Sequence, residues 1–179
     1  MELFEAIARR HSYRGSFLDK SIPRGDLAKI VQAGIQAPSG MNKQTTEFVI
    51  VDAPEVKEKL ADMAAERVTM AEAQAYIACV INTEPEPILD DHSFEVEDCA
   101  AAVENMLLAI TELGYATVWI DGWLRRENRA RRISDLLGLP ASKIVRVILP
   151  LGVPAETKEQ APKMSFEERA CFNFYSGSA

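Results

Sequence analysis

The sequence predicts an α+β fold, an α/β sandwich in which helices flank a central, mainly antiparallel or mixed sheet. Three observations predict it. The stretch from about Glu95 to Gly114 repeats Cys99, Val103, Met106, Leu107, Ile110 and Leu113 at helical spacing, a wide apolar stripe. Apolar runs at 47–51, 76–82 and 144–151 have the length and β-branched content of strands. Helices and strands intermingle without strict alternation, which points to a sandwich. A length of 179 residues, 47% of them hydrophobic and 26% charged, suits one domain spanning 1–179.

Residues 2–10 read as a short helix with Leu3, Phe4 and Ile7 on one face. A second helix follows Pro23, with Leu27, Ile30, Val31, Gly34 and Ile35 in phase, and ends at Ala37-Pro38-Ser39-Gly40. Glu47–Val51 is a strand. A helix from Pro54 to about Ala65 is expected to continue toward Ala73. Tyr76–Asn82 reads as a buried strand because its apolar run is unbroken. Two prolines and several acids make 83–94 an exposed loop. After the long helix, which Gly114 closes, Thr117–Ile120 is a strand. Asn128 is placed to cap a helix running to Leu137. Ile144–Leu151 is the last strong strand, and from Pro154 a polar tail leads to the more apolar 170–175.

A formal net charge of −7 argues against a nucleic-acid or anionic-membrane binder, so any anion site is a local exception. No run reaches the ~18 apolar residues of a membrane span. Met1-Glu2-Leu3-Phe4-Glu5 carries acid where a signal peptide carries base, so a cytoplasmic location is expected. Cys79, Cys99 and Cys171 are widely spaced and odd in number, as reduced thiols are, with no metal or redox pair. Only His11 and His92 are histidines, and the adjacent Asp90, Asp91 and His92 do not form a ligand pattern.

Two segments carry chemistry. If Arg10-His11-Ser12-Tyr13-Arg14 is extended, Arg10, Ser12 and Arg14 face one way. Such a set accepts a phosphate, each charge-assisted bond contributing roughly 1.5–3 kcal/mol. A solvated basic turn is the competing reading. Ala37-Pro38-Ser39-Gly40-Met41-Asn42-Lys43-Gln44 puts small residues and free backbone donors beside two side-chain amides, a loop able to approach a planar ring and read its polar edge. Its competing reading is an ordinary helix-to-strand turn.

Taken in order, Arg-His-Ser-Tyr-Arg, then Ala-Pro-Ser-Gly-x-Asn-x-Gln and a strand, resemble the nitroreductase family of flavin enzymes. Further downstream, Glu104-Asn105-Met106-Leu107-Leu108-Ala109, Trp119-Ile120-Asp121-Gly122, Leu149-Pro150-Leu151-Gly152-Val153-Pro154 and Ala161-Pro162-Lys163 extend the resemblance over nearly the whole chain. It implies FMN as cofactor, with NADH or NADPH as co-substrate. Arg10, Ser12 and Lys163 would hold the phosphate, with a backbone contact from His11. Arg14 would sit near the ribityl chain or the pyrimidine edge, and the backbone of Ile120, Asp121 and Gly122 near flavin N5. Chemistry resides at that atom, so no catalytic side chain and no metal are implied. The resemblance also implies a homodimer with flavin sites at the interface. Pro38, Ser39, Gly40 and Asn42 would come from the opposite subunit, and the C-terminal extension would pack on the partner.

The chain departs from the family pattern in places. Thr45-Thr46 stand where Pro-Trp is usual. Met164-Ser165-Phe166 replaces a second basic residue, for which Lys158 or Arg169 could compensate. Ala64-Ala65-Glu66-Arg67-Val68 occupies a segment that supplies Asn and Lys in larger members, with Arg67 as a substitute. The activity implied is electron transfer from NAD(P)H to a small electron-poor acceptor of nitroaromatic or quinone type. Alternatives are reductive dehalogenation or fragmentation of the flavin, which need a lid, expected within 66–95. A third is a non-catalytic flavin store or sensor. The basic run 125–132 reads as a solvated helix start, Trp119 and Trp123 as core, interface or stacking residues, and Cys79 and Cys99 as inert core thiols.

Overall fold

The computed structural model describes residues 1–175. Seven helices and five strands follow one another in the order α1 (Leu3–Arg9), β1 (Phe17–Leu18), α2 (Arg24–Ile35), β2 (Glu47–Val51), α3 (Pro54–Asp62), α4 (Val68–Ala71), β3 (Ala75–Asn82), α5 (Glu95–Glu112), β4 (Ala116–Thr117), α6 (Arg129–Leu136), β5 (Lys143–Pro154) and α7 (Phe166–Arg169). A single 3-10 turn, Gly40–Asn42, interrupts the loop after α2.

The sheet order is β1-β5-β3-β2, with β4 also on β5, and every pairing is antiparallel. Alternation along β3 divides the core. Ile77, Cys79 and Ile81 pack with Ile30, Val103 and Met106 of α2 and α5. Tyr76, Ala78 and Val80 pack with Leu60, Trp123 and Ile133 on the opposite face. The expected sandwich is therefore present, with α2 and α5 covering one face of the sheet and α3 and α6 the other. Gly34 brings α2 close to α5, since a Cβ there would lie 2.9 Å from the Met106 side chain. Cys79 and Cys99 are buried side by side; the hydrogen bond between them, and burial, push the Cys79 thiol well up.

Several expectations need correction. The helix begun at Pro54 stops at Asp62 and resumes only as α4, with Arg67 extended at φ −114° between them. The expected strand 117–120 reduces to Ala116–Thr117 and a lone bridge between Ile120 and Ile148. Asn128 does not cap α6 with its side chain; it lies in the left-handed region at φ 55°. A lid cannot occupy all of 66–95, because Ala75–Asn82 is the central buried strand. The tail does not leave its own chain at once: Ala155 N–H bonds to the Ser16 carbonyl and the Gln160 amide donates to the Arg10 carbonyl. Helix α7, unforeseen, starts with a reciprocal capping box between Ser165 and Glu168. No helix among the described residues is long and apolar enough to cross a membrane.

Candidate cofactor site

The buried Tyr13 determines the course of the Arg10–Arg14 segment. Its N–H donates to the Thr117 carbonyl at 2.9 Å, its hydroxyl to the Ser16 carbonyl at 2.5 Å, and its ring packs 5.3 Å from Phe17. Tyr13, Gly15 and Phe17 point inward and Ser12, Arg14 and Ser16 outward, the period-2 alternation of an extended chain. The three expected anion ligands nevertheless separate. Arg10 lines a cleft of about 790 Å³ between the end of α1, α5 and the segment 154–163, together with His11 and Lys163. Arg14 lines a second cleft of about 420 Å³ with Ile120, Asp121 and Gly122. Ser12 is exposed and lines neither.

The first cleft is a basic notch in an acidic molecule. The Arg10 guanidinium lies 3.7 Å from the exposed Glu104 of α5, and the Arg10 side chain is itself largely buried. Lys158 sits 5.6 Å over the Tyr13 ring and pairs with Glu156. His11 Nδ1 donates to the Arg9 carbonyl at 3.0 Å, leaving Nε2 buried and with no hydrogen-bond partner among the described residues. A buried acceptor nitrogen left unpaired costs free energy, and a hydroxyl of a bound ligand would satisfy it, while Arg10, Lys158 and Lys163 supply the cations of the cleft. The residues present thus fit a phosphate.

The second cleft is walled by backbone. Ile120 exchanges two backbone hydrogen bonds with Ile148, of 3.2 and 3.0 Å, and Leu124 N–H closes a turn on the Asp121 carbonyl at 2.9 Å. The Asp121 carboxylate accepts two bonds from Arg125, of 2.7 and 3.0 Å, and a third from Arg146. Burial pushes this carboxyl up, but the bonds from Arg125 and Arg146 outweigh it and hold the group below its ordinary value. Trp123 is buried, its indole N–H donating to Glu66 at 3.1 Å while Arg129 and Arg67 lie 4.7 and 5.9 Å from the ring. Glu66 is held below the ordinary carboxyl value by a backbone hydrogen bond, with Trp123 and the two arginines adding to it. Trp123 is thus a core residue, and the run 125–132 is only partly solvated: Arg131 also bonds the Ala141 and Lys143 carbonyls.

The loop after α2 shares no lining residue with either cleft. Pro38 and Ser39 line a hollow of about 480 Å³ together with Thr45, Thr46 and Asp98. Gly40 N–H and the Thr45 hydroxyl donate to the two oxygens of Asp98, at 2.8 and 2.9 Å. A Cβ on Gly40 would strike the Phe94 ring at 2.6 Å, so only glycine lets the loop lie against the start of α5. Asn42 is exposed and outside this hollow. Met41, Asn42 and Gln44 all have φ near +50°, a conformation that non-glycine residues adopt only when their surroundings impose it.

Four charged residues in or near these segments escaped the sequence reading. Asp98 and Glu95 lie on the apolar stripe of α5, where a carboxylate signals a buried partner. Arg146 interrupts the apolar run Ile144–Leu151, an equally legible anomaly. Glu66 carried no signal, since its role depends on the distant Trp123.

The sequence profile of the nitroreductase family matches residues 7–87 and 80–153. A protein of Archaeoglobus fulgidus with a provisional NADH dehydrogenase/NAD(P)H nitroreductase name is 33% identical over 88% of both chains. A Vibrio harveyi protein named NADPH-flavin oxidoreductase is 28% identical over 75% of this chain and 59% of its own. Among solved structures, a nitroreductase family protein of Clostridium novyi superposes with a TM-score of 0.74 at 30% identity, covering 87% of each chain. The α+β sandwich is a nitroreductase fold. The chain belongs to the nitroreductase family.

Proposed function

We propose that this protein is an FMN-dependent oxidoreductase that takes electrons from NADH or NADPH and passes them to a small electron-poor acceptor of nitroaromatic or quinone type. The observation that carries this reading is the basic notch of Arg10, Lys158 and Lys163, one stretch of chain away from a cleft walled by fixed backbone. The name of the Vibrio harveyi relative supports the flavin and the nicotinamide donor. Bound FMN would supply the electron transfer. Arg10 and Lys163 would hold its phosphate, with Ser12 reorienting to join them and His11 adding a backbone contact. Arg14 would approach the ring side as a fixed cation, and the main chain of Ile120, Asp121 and Gly122 would present a donor to the ring.

The working unit in this reading is a cytoplasmic homodimer. Leu3, Phe4 and Ile7 of α1 are 61%, 83% and 46% exposed, and the described part of the tail carries the exposed Phe172, Phe174 and Tyr175. Apolar surface of this kind calls for a partner. A second copy would cover it and bring its own Pro38, Ser39, Gly40 and Asn42 to the flavin. Titrating the purified chain with FMN, with light scattering in parallel, tests both parts. One flavin per chain on a dimer is expected, and a protein that leaves FMN free at every concentration would overturn the assignment.

A further inference from the structure

We infer that Arg146 is a positioning residue: through the Asp121 carboxylate it fixes the main chain of Ile120–Gly122 that faces the second cleft. The inference rests on the flavin reading of that cleft. In the pairing of β3 with β5, Cys79 opposes Val147 and Val80 opposes Val145, so Arg146 is the extra residue of a β-bulge. Bulges re-aim a side chain out of the regular alternation. Here the bulge sends a guanidinium out of an otherwise buried central strand and onto Asp121.

Asp121 lies between two hollows. It lines the second cleft alongside Arg14 and Trp119, and also a hollow of about 380 Å³ formed with Leu124, Arg125 and Arg146. The two arginines that hold it are not equivalent. Arg125 is four residues on and its side chain is 61% exposed, so its pair is local and solvent-screened. Arg146 is 19% exposed and belongs to the central sheet. It alone of the two ties the segment to the scaffold. Ile120 is already anchored by its backbone bridge to Ile148. Without Arg146 the segment would keep its upstream bridge, the local turn to Leu124 with the Arg125 pair, and the core packing of Trp123 downstream, but no tie from Asp121 itself to the sheet. A site residue held through a neighbour's ionic contact is oriented within narrow limits, and loosening it costs binding geometry before it costs fold.

The test compares wild type, Arg146→Met, Arg146→Lys, Asp121→Asn and the Arg146→Met/Asp121→Asn pair. Amide hydrogen exchange at 120–122 is measured without added flavin, with amides of β3 as control, and FMN titrations then read the dissociation constant and the visible circular dichroism of the bound ring. Arg146→Met should speed exchange at 120–122 but not in β3, weaken FMN about tenfold, equivalent to ~1.4 kcal/mol, and alter the dichroism. Arg146→Lys supplies the one donor that Arg146 uses and should restore most of each signal, which also serves if the methionine variant does not fold. Because Arg146 acts through Asp121, the double variant should be no worse than Arg146→Met alone. Unchanged exchange and dichroism in Arg146→Met, losses that add in the double variant, or no rescue by lysine would overturn the inference. Failure of the wild type to take up FMN would overturn the flavin reading instead, while the exchange data would still judge the tether.

Discussion

Two segments proposed to meet the flavin are held in opposite ways. The Ile120–Gly122 segment has ordinary backbone angles and is wired to the sheet by a backbone bridge and by the Arg146 and Arg125 bonds to Asp121. The Ala37–Gln44 segment contains three non-glycine residues at positive φ and hangs on α5 through Asp98 and the contact of Gly40 with Phe94. The first is fixed by many weak ties to the scaffold, the second by one buried carboxylate that offsets local strain. A segment of the first kind loosens by degrees, whereas one of the second kind is lost together with its anchor.

The most damaging change should be Asp98→Ala. It removes two hydrogen bonds to a charged acceptor, each contributing about 1.5–3 kcal/mol, so denaturant unfolding should show a loss of about 3–6 kcal/mol. Asp98→Asn should recover part of it. A loss below about 1 kcal/mol would mean that the loop is not hung on α5 there. Arg10→Ala ranks next: loss of one charge-assisted bond to phosphate, about 1.5–3 kcal/mol, should weaken FMN by ten- to a hundredfold in a titration. Its thermal midpoint should hardly move, because its exposed partner Glu104 contributes little to stability. A parallel fall in both would recast Arg10 as structural.

Acid should discriminate between the segments. Asp121 has a folded pKa below its ordinary value, so its contribution is fully present above the unfolded carboxyl value of about 3.9 and is lost as pH falls through the lower, folded one. Trp119 and Trp123, the only tryptophans, flank this segment, so an acid titration of their fluorescence should show a step below about pH 4 that Asp121→Asn lacks. A step identical in both would show that another group titrates. The smallest effect belongs to Met41→Gly. Relief of a left-handed residue, about 1–2 kcal/mol, is partly offset by the entropy of glycine, about 0.5–1 kcal/mol. Unfolding should show a net gain under about 1 kcal/mol, and destabilisation would mean that the Met41 side chain packs against something that holds the loop.

The comparison also explains what could be read in advance. Elements fixed by periodicity were legible: β2 begins and ends where expected, and α5 differs only at its C-terminal turn. The break between α3 and α4 was not, because Ala64, Glu66 and Met70 are good helix formers overridden by tertiary contacts, among them the bond from Trp123 to Glu66. The two-residue β1 and β4 carry too little pattern to detect and exist by pairing with β5. At the site, the ordered motifs brought Arg10, His11 and Lys163 to one cleft and Arg14 and Ile120–Gly122 to another. The side chains that hold the two segments, Asp98 and Arg146, lay in view as charges on apolar patterns, but their partners are 58 and 25 residues away in sequence. Such pairings are set by the sheet and not by local spacing.

The most direct measurement is anaerobic mixing of the FMN-loaded protein with NADPH, and separately with NADH, while the visible flavin absorbance is followed. The proposed oxidoreductase should bleach with at least one of them and recover its colour when a quinone or nitroaromatic is added. A tightly bound flavin that keeps its colour with both would contradict the account and leave a flavin store in its place.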